Sequence, residues 1–139
     1  MTEAEIWSNI RYNEQKIDEH AAEIRRLERQ INELEALRNK CGSLQSRFSE
    51  RQQHRQGRLQ DLLSSSLQNQ IVRRYYNGMS SLLSGREFNE AYEGLNEAKR
   101  MINHKIRNLD QELDEAQASL NYRRNRREYW LRELWNLPD

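Results

Sequence analysis

The chain has 139 residues, of which 32% are charged and 35% are hydrophobic, and its formal net charge is +1. This low apolar content favours a narrow helical seam over a compact multilayer core, and the one proline, Pro138, leaves the rest of the chain free to form long helices. The composition excludes a β-sandwich, a glycine-rich nucleotide-binding fold, a disulfide scaffold and a membrane span, because glycines are few, Cys41 is alone and no apolar run approaches about twenty residues.

The first predicted helix covers residues 1–41. It opens with Thr2 and Glu5, which have the spacing of a capping box, in which each side chain satisfies a free backbone N–H. Isoleucine then recurs every seven residues, and the companion heptad positions are mostly apolar, a pattern typical of two-stranded packing. We expect this stripe to bury against another helix, either folded back within the chain or from a partner. The two rows are Ile10, Ile17, Ile24 and Ile31, and Ile6, Asn13, His20, Leu27 and Leu34.

Gly42 separates this helix from the second predicted one, residues 43–83. The glycine suits a helix C-terminus and Ser43 suits a new N-cap, which indicates a turn. Apolar residues nevertheless keep the three- and four-residue spacing across Gly42, which favours a continuing helix with at most a kink. The residues that keep the spacing are Leu37, Cys41, Leu44 and Phe48.

A second capping box, Ser84 with Glu87, predicts a last helix over residues 85–136. The connection before it is short, so the helices on either side are expected to be antiparallel neighbours. Residues 41–86 carry a net charge of +5 and residues 87–121 a net charge of −4, and such complementary blocks favour paired helices over nucleic-acid binding.

We therefore predict an all-α fold over residues 1–139 as a single helical domain. The expected architecture is an elongated antiparallel helical hairpin or coiled coil with an extended, heptad-patterned N-terminal helix. Near its C-terminus, the heptad row of the last helix passes through Arg123 and Arg127 before Trp130. Arginines on a seam indicate that it opens there or faces acids or water. The basic run at 122–127 is interpreted first as a solvated helix end, second as a surface for a protein partner, and third as a contact for nucleic acid or anionic lipid.

The predicted turn carries a family resemblance. Leu83, Ser84 and Gly85 lie between two amphipathic helices and precede the segment Phe-Asn-Glu-Ala-Tyr-Glu-Gly at 88–94. This arrangement resembles the turn of the small W-x-G proteins of type VII (ESX) secretion, where Trp-x-Gly or Leu-x-Gly joins the helices of a hairpin. Tyr129 and Glu133 resemble the family's Y-x-x-x-[D/E] export motif, and they are one helical turn apart. The resemblance covers about residues 59–135.

The extended first half is similar to the longer accessory proteins encoded beside bacterial LXG-domain toxins. This resemblance implies a non-enzymatic adaptor or chaperone that binds the helical N-terminal region of a secreted effector, or another small hairpin protein, and contributes an export signal. The candidate partner-binding residues are Ile10, Ile17, Ile24, Leu27, Ile31, Leu34, Arg123, Arg127 and Trp130.

Two other functions compete with this one, a generic coiled-coil adaptor or scaffold and a basic-helix nucleic-acid-binding protein. We expect no cofactor, metal or catalytic site, since the three histidines are scattered and no phosphate-binding loop exists. The first fifteen residues lack the basic and apolar regions of a secretory signal peptide, so we expect none there. The resemblance implies a cytoplasmic location in the producing cell, with secretion by a signal-peptide-independent route and homodimer formation both left open.

Overall fold

The computed structural model describes residues 1–65, 74–75, 77–79, 81 and 85–138, with the side chains of 62–65 excluded. Two long helices form the described structure: α1 spans Glu3–Ser65 and α2 spans Arg86–Trp135. The described residues contain no β-strand, and α1 packs against α2. The predicted all-α helical hairpin is confirmed.

The N-terminus of α1 is closed by the predicted capping box. The backbone N of Thr2 donates to Oε2 of Glu5 at 2.8 Å, and the backbone N of Glu5 donates to Oγ1 of Thr2 at 3.2 Å. Both donors would otherwise lack a partner within the helix, so this pair fixes where α1 begins.

Gly42 does not end a helix, because α1 continues through it to Ser65. No described glycine has a positive φ, so Gly42 does not adopt the left-handed conformation that a C-terminal cap requires. The predicted helix 1–41 and the part of the predicted helix 43–83 up to Ser65 therefore form one continuous helix. The apolar spacing from Leu37 to Phe48 favoured this continuation. Beyond Ser65, the described residues at 74–75, 77–79 and 81 are also helical.

The last helix starts and ends within one residue of its predicted bounds. The backbone N of Asn89 donates to the carbonyl O of Gly85 at 3.4 Å, so Gly85 supplies one of the first helical hydrogen bonds. Leu83 and Ser84, and with them the second predicted capping box, lie outside the described residues.

Contacts group the chain into two compact units, one of which combines Met1–Leu34 with Lys105–Asp139. Its core is the predicted heptad stripe of α1 packed on the apolar rows of α2. Ile17, Ile24 and Leu34 are half-buried. The buried members are Ile6, Ile10, Leu27 and Ile31 from α1 and Ile106, Leu109, Ala116 and Leu120 from α2.

The second unit, Glu35–His104, has a more polar seam. Sevenfold spacing from Ile31 places Arg38 and Gln45 at seam positions. Nη1 of Arg38 donates to Oδ1 of Asn103 at 2.8 Å, and Nε2 of Gln45 donates to Oδ1 of Asn96 at 2.6 Å. Nε2 of Gln45 also lies 3.2 Å from the carbonyl O of Tyr92. These bonds satisfy polar groups that the seam would otherwise bury without partners.

The ion pairs that Lys and Arg form among the described residues all join positions three or four apart in one helix, such as Lys16 with Glu19 and Arg86 with Glu90. The opposite charge blocks of the sequence are therefore not joined by Lys or Arg ion pairs between helices in the described part of the chain. Exposed pairs of this kind contribute little to stability.

Candidate export and partner surface

Tyr129 and Glu133 both lie on α2, one helical turn apart, as predicted. Tyr129 is 40% exposed and Glu133 is exposed. No Lys or Arg among the described residues forms an ion pair with Glu133. The two side chains are therefore available together as one surface patch on the last turns of the helix.

Tyr129 belongs to a cluster with Trp130 and Arg126. The rings of Tyr129 and Trp130 are edge-to-face, with centroids 5.0 Å apart and an interplanar angle of 78°. The guanidinium carbon of Arg126 lies 4.7 Å from the Tyr129 ring centroid and 5.4 Å from that of Trp130. Arg126 precedes these residues by three and four positions, so helix geometry alone brings the three together. Sequence analysis included Arg126 in the basic run at 122–127 but did not predict its stacking on the two rings, although this spacing could have revealed it.

Arg123 is half-buried on the seam and forms no ion pair with an acid among the described residues. Its guanidinium carbon lies 5.2 Å from the ring centroid of Tyr12 and 5.2 Å from that of Tyr122. Its Nη1 is 3.5 Å from Oδ1 of buried Asn13. Of the predicted alternatives, no acid pairs with Arg123 among the described residues, and the half-buried side chain contacts an amide and two aromatic rings. The side chain of Asn13 also donates to the carbonyl O of Asn9 at 2.8 Å.

Arg127 occupies the next seam position and is half-buried. Its Nε is buried, and no described residue accepts a hydrogen bond from it. This side chain therefore has an unused hydrogen-bond donor on the seam. Burying a guanidinium N–H without an acceptor costs free energy of folding.

The predicted partner-binding isoleucines and leucines of α1 are used within the chain. Ile10, Leu27 and Ile31 are buried in the first unit, and Ile17, Ile24 and Leu34 are half-buried there. Of the two alternatives for this stripe, the structure shows packing within the chain. These residues therefore do not form an open partner surface, because α2 already covers the stripe.

An open polar groove of about 1090 Å³ lies in the Glu35–His104 unit. Arg38, Arg47 and Lys99 line it together with Glu50, so basic side chains predominate. Arg38 already donates to Asn103 across its wall. The lining is suited to attract a carboxylate, but an open groove offers little exclusion of water.

The described residues include no group of three or more His, Cys, Asp and Glu side chains that could hold a metal ion. Cys41 is buried in the Glu35–His104 unit and unpaired. No helix in the described part of the chain is both long and apolar enough to cross a membrane.

Comparisons with protein-family models, with curated proteins and with solved structures found no match to this chain.

Proposed function

We propose that this protein is a non-enzymatic adaptor that binds a helical partner and presents an export signal for it in a type VII secretion system. The observation that carries the proposal is the joint exposure of Tyr129 and Glu133 on one face of α2. A secretion machine can read only side chains that it can reach, and exposed residues add little to folding.

The surroundings of Tyr129 support recognition. Arg126 and Trp130 hold the tyrosine ring from two sides, so its position is restricted before any partner arrives. A preorganised aromatic group loses less conformational entropy on binding than a mobile one. Tyr, Trp and Arg are also the residue types most enriched among side chains that dominate binding energy.

The same contacts favour a protein partner over nucleic acid. Surfaces that bind single-stranded nucleic acid use open aromatic faces on which bases stack. Here Arg123 covers a face of Tyr12 and of Tyr122, and Arg126 covers a face of Tyr129. The edges of these guanidinium groups keep their N–H donors, which suit carboxylates of an acidic protein partner.

The test is the double variant Tyr129→Ala/Glu133→Ala in the producing bacterium. We expect helicity, melting temperature and partner binding to stay near those of the wild type, while the amount of exported partner falls strongly. The matched control is Tyr122→Ala/Glu128→Ala, which removes an exposed tyrosine and an exposed glutamate of the same helix. It leaves Tyr129 and Glu133, with their four-residue spacing, in place. Normal export by the test variant contradicts the signal, and loss of helicity shows that Tyr129 serves folding instead.

A further inference from the structure

We infer that the Glu35–His104 unit carries a second binding surface, which takes an amphipathic helix with acidic residues along the edge of its apolar stripe. The inference rests on the proposed function only in that the partner is a helical protein. It concerns residues that lie outside the Tyr129 cluster and outside the buried heptad stripe.

The starting observation is an inversion of burial between two neighbours on α1. Gln45 is 4% exposed, whereas Leu44 is 46% exposed. Leu37, seven residues earlier, is 48% exposed, and Phe48 is 40% exposed. A protein that buries an amide and leaves large apolar side chains open departs from the ordinary sorting by polarity, and such a departure is informative about binding.

The helix register explains how this arises. Arg38, Cys41 and Gln45 continue the seam positions of Ile31, so they face α2. Leu37 and Leu44 occupy the position next to the seam, on its outer edge. They are seven residues apart, which is about 10.5 Å along the axis, so they point the same way. This seven-residue spacing equals the heptad repeat of the apolar stripe on a second helix that would lie alongside α1.

α2 leaves room for that helix. In an antiparallel pair, the position beside the seam on one helix faces the equivalent position on the other. On α2 these positions and their outer neighbours hold small or flexible side chains. Ala91 and Gly94 are exposed, Ala98 is half-buried and Met101 is 65% exposed. A Cβ added to Gly94 would meet no atom within 4 Å, so a partner backbone can approach closely.

The charge around these residues identifies the partner. The same edge of α1 carries exposed basic residues at helical spacing from the leucines, namely Lys40, Arg47, which also borders the polar groove, and Arg51. None of the three forms an ion pair with a described residue. Glu50 is the only acidic residue between Leu37 and Arg58, and it lines the groove instead.

We call this set the flank surface. It combines a row of apolar side chains with a basic border on α1, so its complement is a helix with an apolar heptad stripe edged by Glu or Asp. The flank surface consists of Leu37, Lys40, Leu44, Arg47, Phe48, Arg51, Ala91, Gly94, Ala98 and Met101.

The experiment uses two synthetic helices of about four heptads with the same leucine stripe, one edged by glutamate and the other by lysine. Binding to the full chain is measured by fluorescence anisotropy. We expect the acidic helix to bind and the basic helix to bind at least about tenfold more weakly. Two variants, Leu37→Gln/Leu44→Gln and Lys40→Glu/Arg47→Glu/Arg51→Glu, should each weaken the acidic helix by at least about tenfold while circular dichroism stays that of the wild type.

The matched control is Arg11→Glu/Arg25→Glu/Arg29→Glu, which reverses three exposed charges of α1 in the other unit and should leave binding unchanged. Absence of binding, equal binding of both helices, or equal loss in the control variant overturns the inference. The inference is also overturned if the full chain self-associates and Leu37→Gln/Leu44→Gln abolishes that self-association. It is likewise overturned if the chain binds anionic vesicles and not the acidic helix. Tyr129→Ala/Glu133→Ala should bind the acidic helix normally, so failure of export and failure of this surface are separate results.

Discussion

Phe48 of α1 and Phe88 of α2 stack face to face, with ring centroids 4.8 Å apart and an angle of 5° between the ring planes. The Phe88 ring in turn lies 6.0 Å from that of Tyr92, centroid to centroid. This aromatic group lies near the start of α2, in a unit that also buries Cys41, Leu59 and Ile102. It is therefore an apolar contact that joins the two helices there.

We expect Phe88→Ala to lower the free energy of unfolding by about 2 kcal/mol, because a half-buried ring loses both its burial and its stacking partner. Chemical denaturation measures the change. Phe88→Leu, which keeps most of the apolar volume, should cost clearly less. Equal losses in the two variants would show that stacking adds nothing beyond burial.

Leu27 and Leu37 provide a matched pair on one helix. Leu27 is 1% exposed and Leu37 is 48% exposed. Leu27→Ala should lower the free energy of unfolding by about 3 kcal/mol, since it leaves a cavity in the seam, and Leu37→Ala by less than about 1 kcal/mol. Urea unfolding curves compare the two. A larger loss for Leu37→Ala than for Leu27→Ala would contradict the described register.

Substitutions at Gln45 test how much the polar seam contributes to stability. Gln45→Ala removes two hydrogen bonds and leaves a cavity, so we expect a loss of about 2 kcal/mol. Gln45→Leu restores the volume with an apolar side chain and should be more stable than Gln45→Ala by at least about 1 kcal/mol. The measurement is the midpoint of thermal unfolding for both variants. If alanine and leucine behave alike, Gln45 is not enclosed by the seam.

Gly42→Ala should stabilise the protein by about 0.5 to 1 kcal/mol. The position is helical, its φ is not positive, and an added Cβ meets no atom within 4 Å. Alanine there lowers the entropy of the unfolded chain and favours the helix. Gly94→Ala, which is equally open, is the control and should act in the same direction. Destabilisation by Gly42→Ala alone would show that α1 turns at this glycine.

Glu23 offers a pH-dependent readout. The hydrogen bond from Arg26 lowers the pKa of the Glu23 carboxyl from its ordinary value of 4.5, and the same contact raises the pKa of Arg26. Because the folded-state pKa is lowered, the contribution of the pair is present above about pH 4.5 and is lost as the pH falls through the folded pKa. A carboxyl NMR titration should place the Glu23 midpoint below 4.5. Arg26→Gln should move it back up, whereas the distant Arg11→Gln should not.

The sequence allowed the fold to be predicted where local patterns decide it. The Thr2–Glu5 capping box depends on four adjacent residues, and the burial of Ile10 and Leu27 follows from a regular heptad. The antiparallel arrangement followed from two amphipathic segments with a short connection between them.

The polar seam of the Glu35–His104 unit was not predicted, for a physical reason. The apolar spacing of Leu37, Cys41 and Leu44 indicated only that the helix continues through Gly42. Continuity of α1 through Gly42 carries the register of Ile31 onward, and Gln45 then meets Asn96 on the other helix. That pairing depends on a residue far away in the chain, which local periodicity does not encode. The stacking of Arg126 on Tyr129 and Trp130 was local and could have been predicted from its spacing.

The contacts between α1 and α2 differ widely in sequence separation. Phe48 and Phe88 are 40 residues apart, Arg38 and Asn103 are 65 apart, and Asn13 and Arg123 are 110 apart. Closing the longest of these loops costs about 0.9 kcal/mol more chain entropy than closing the shortest. During folding, pairing should therefore start near the stacked phenylalanines and proceed toward the two termini. The end that carries Tyr129 and Glu133 would then close last and be the first to open when the chain is pulled apart.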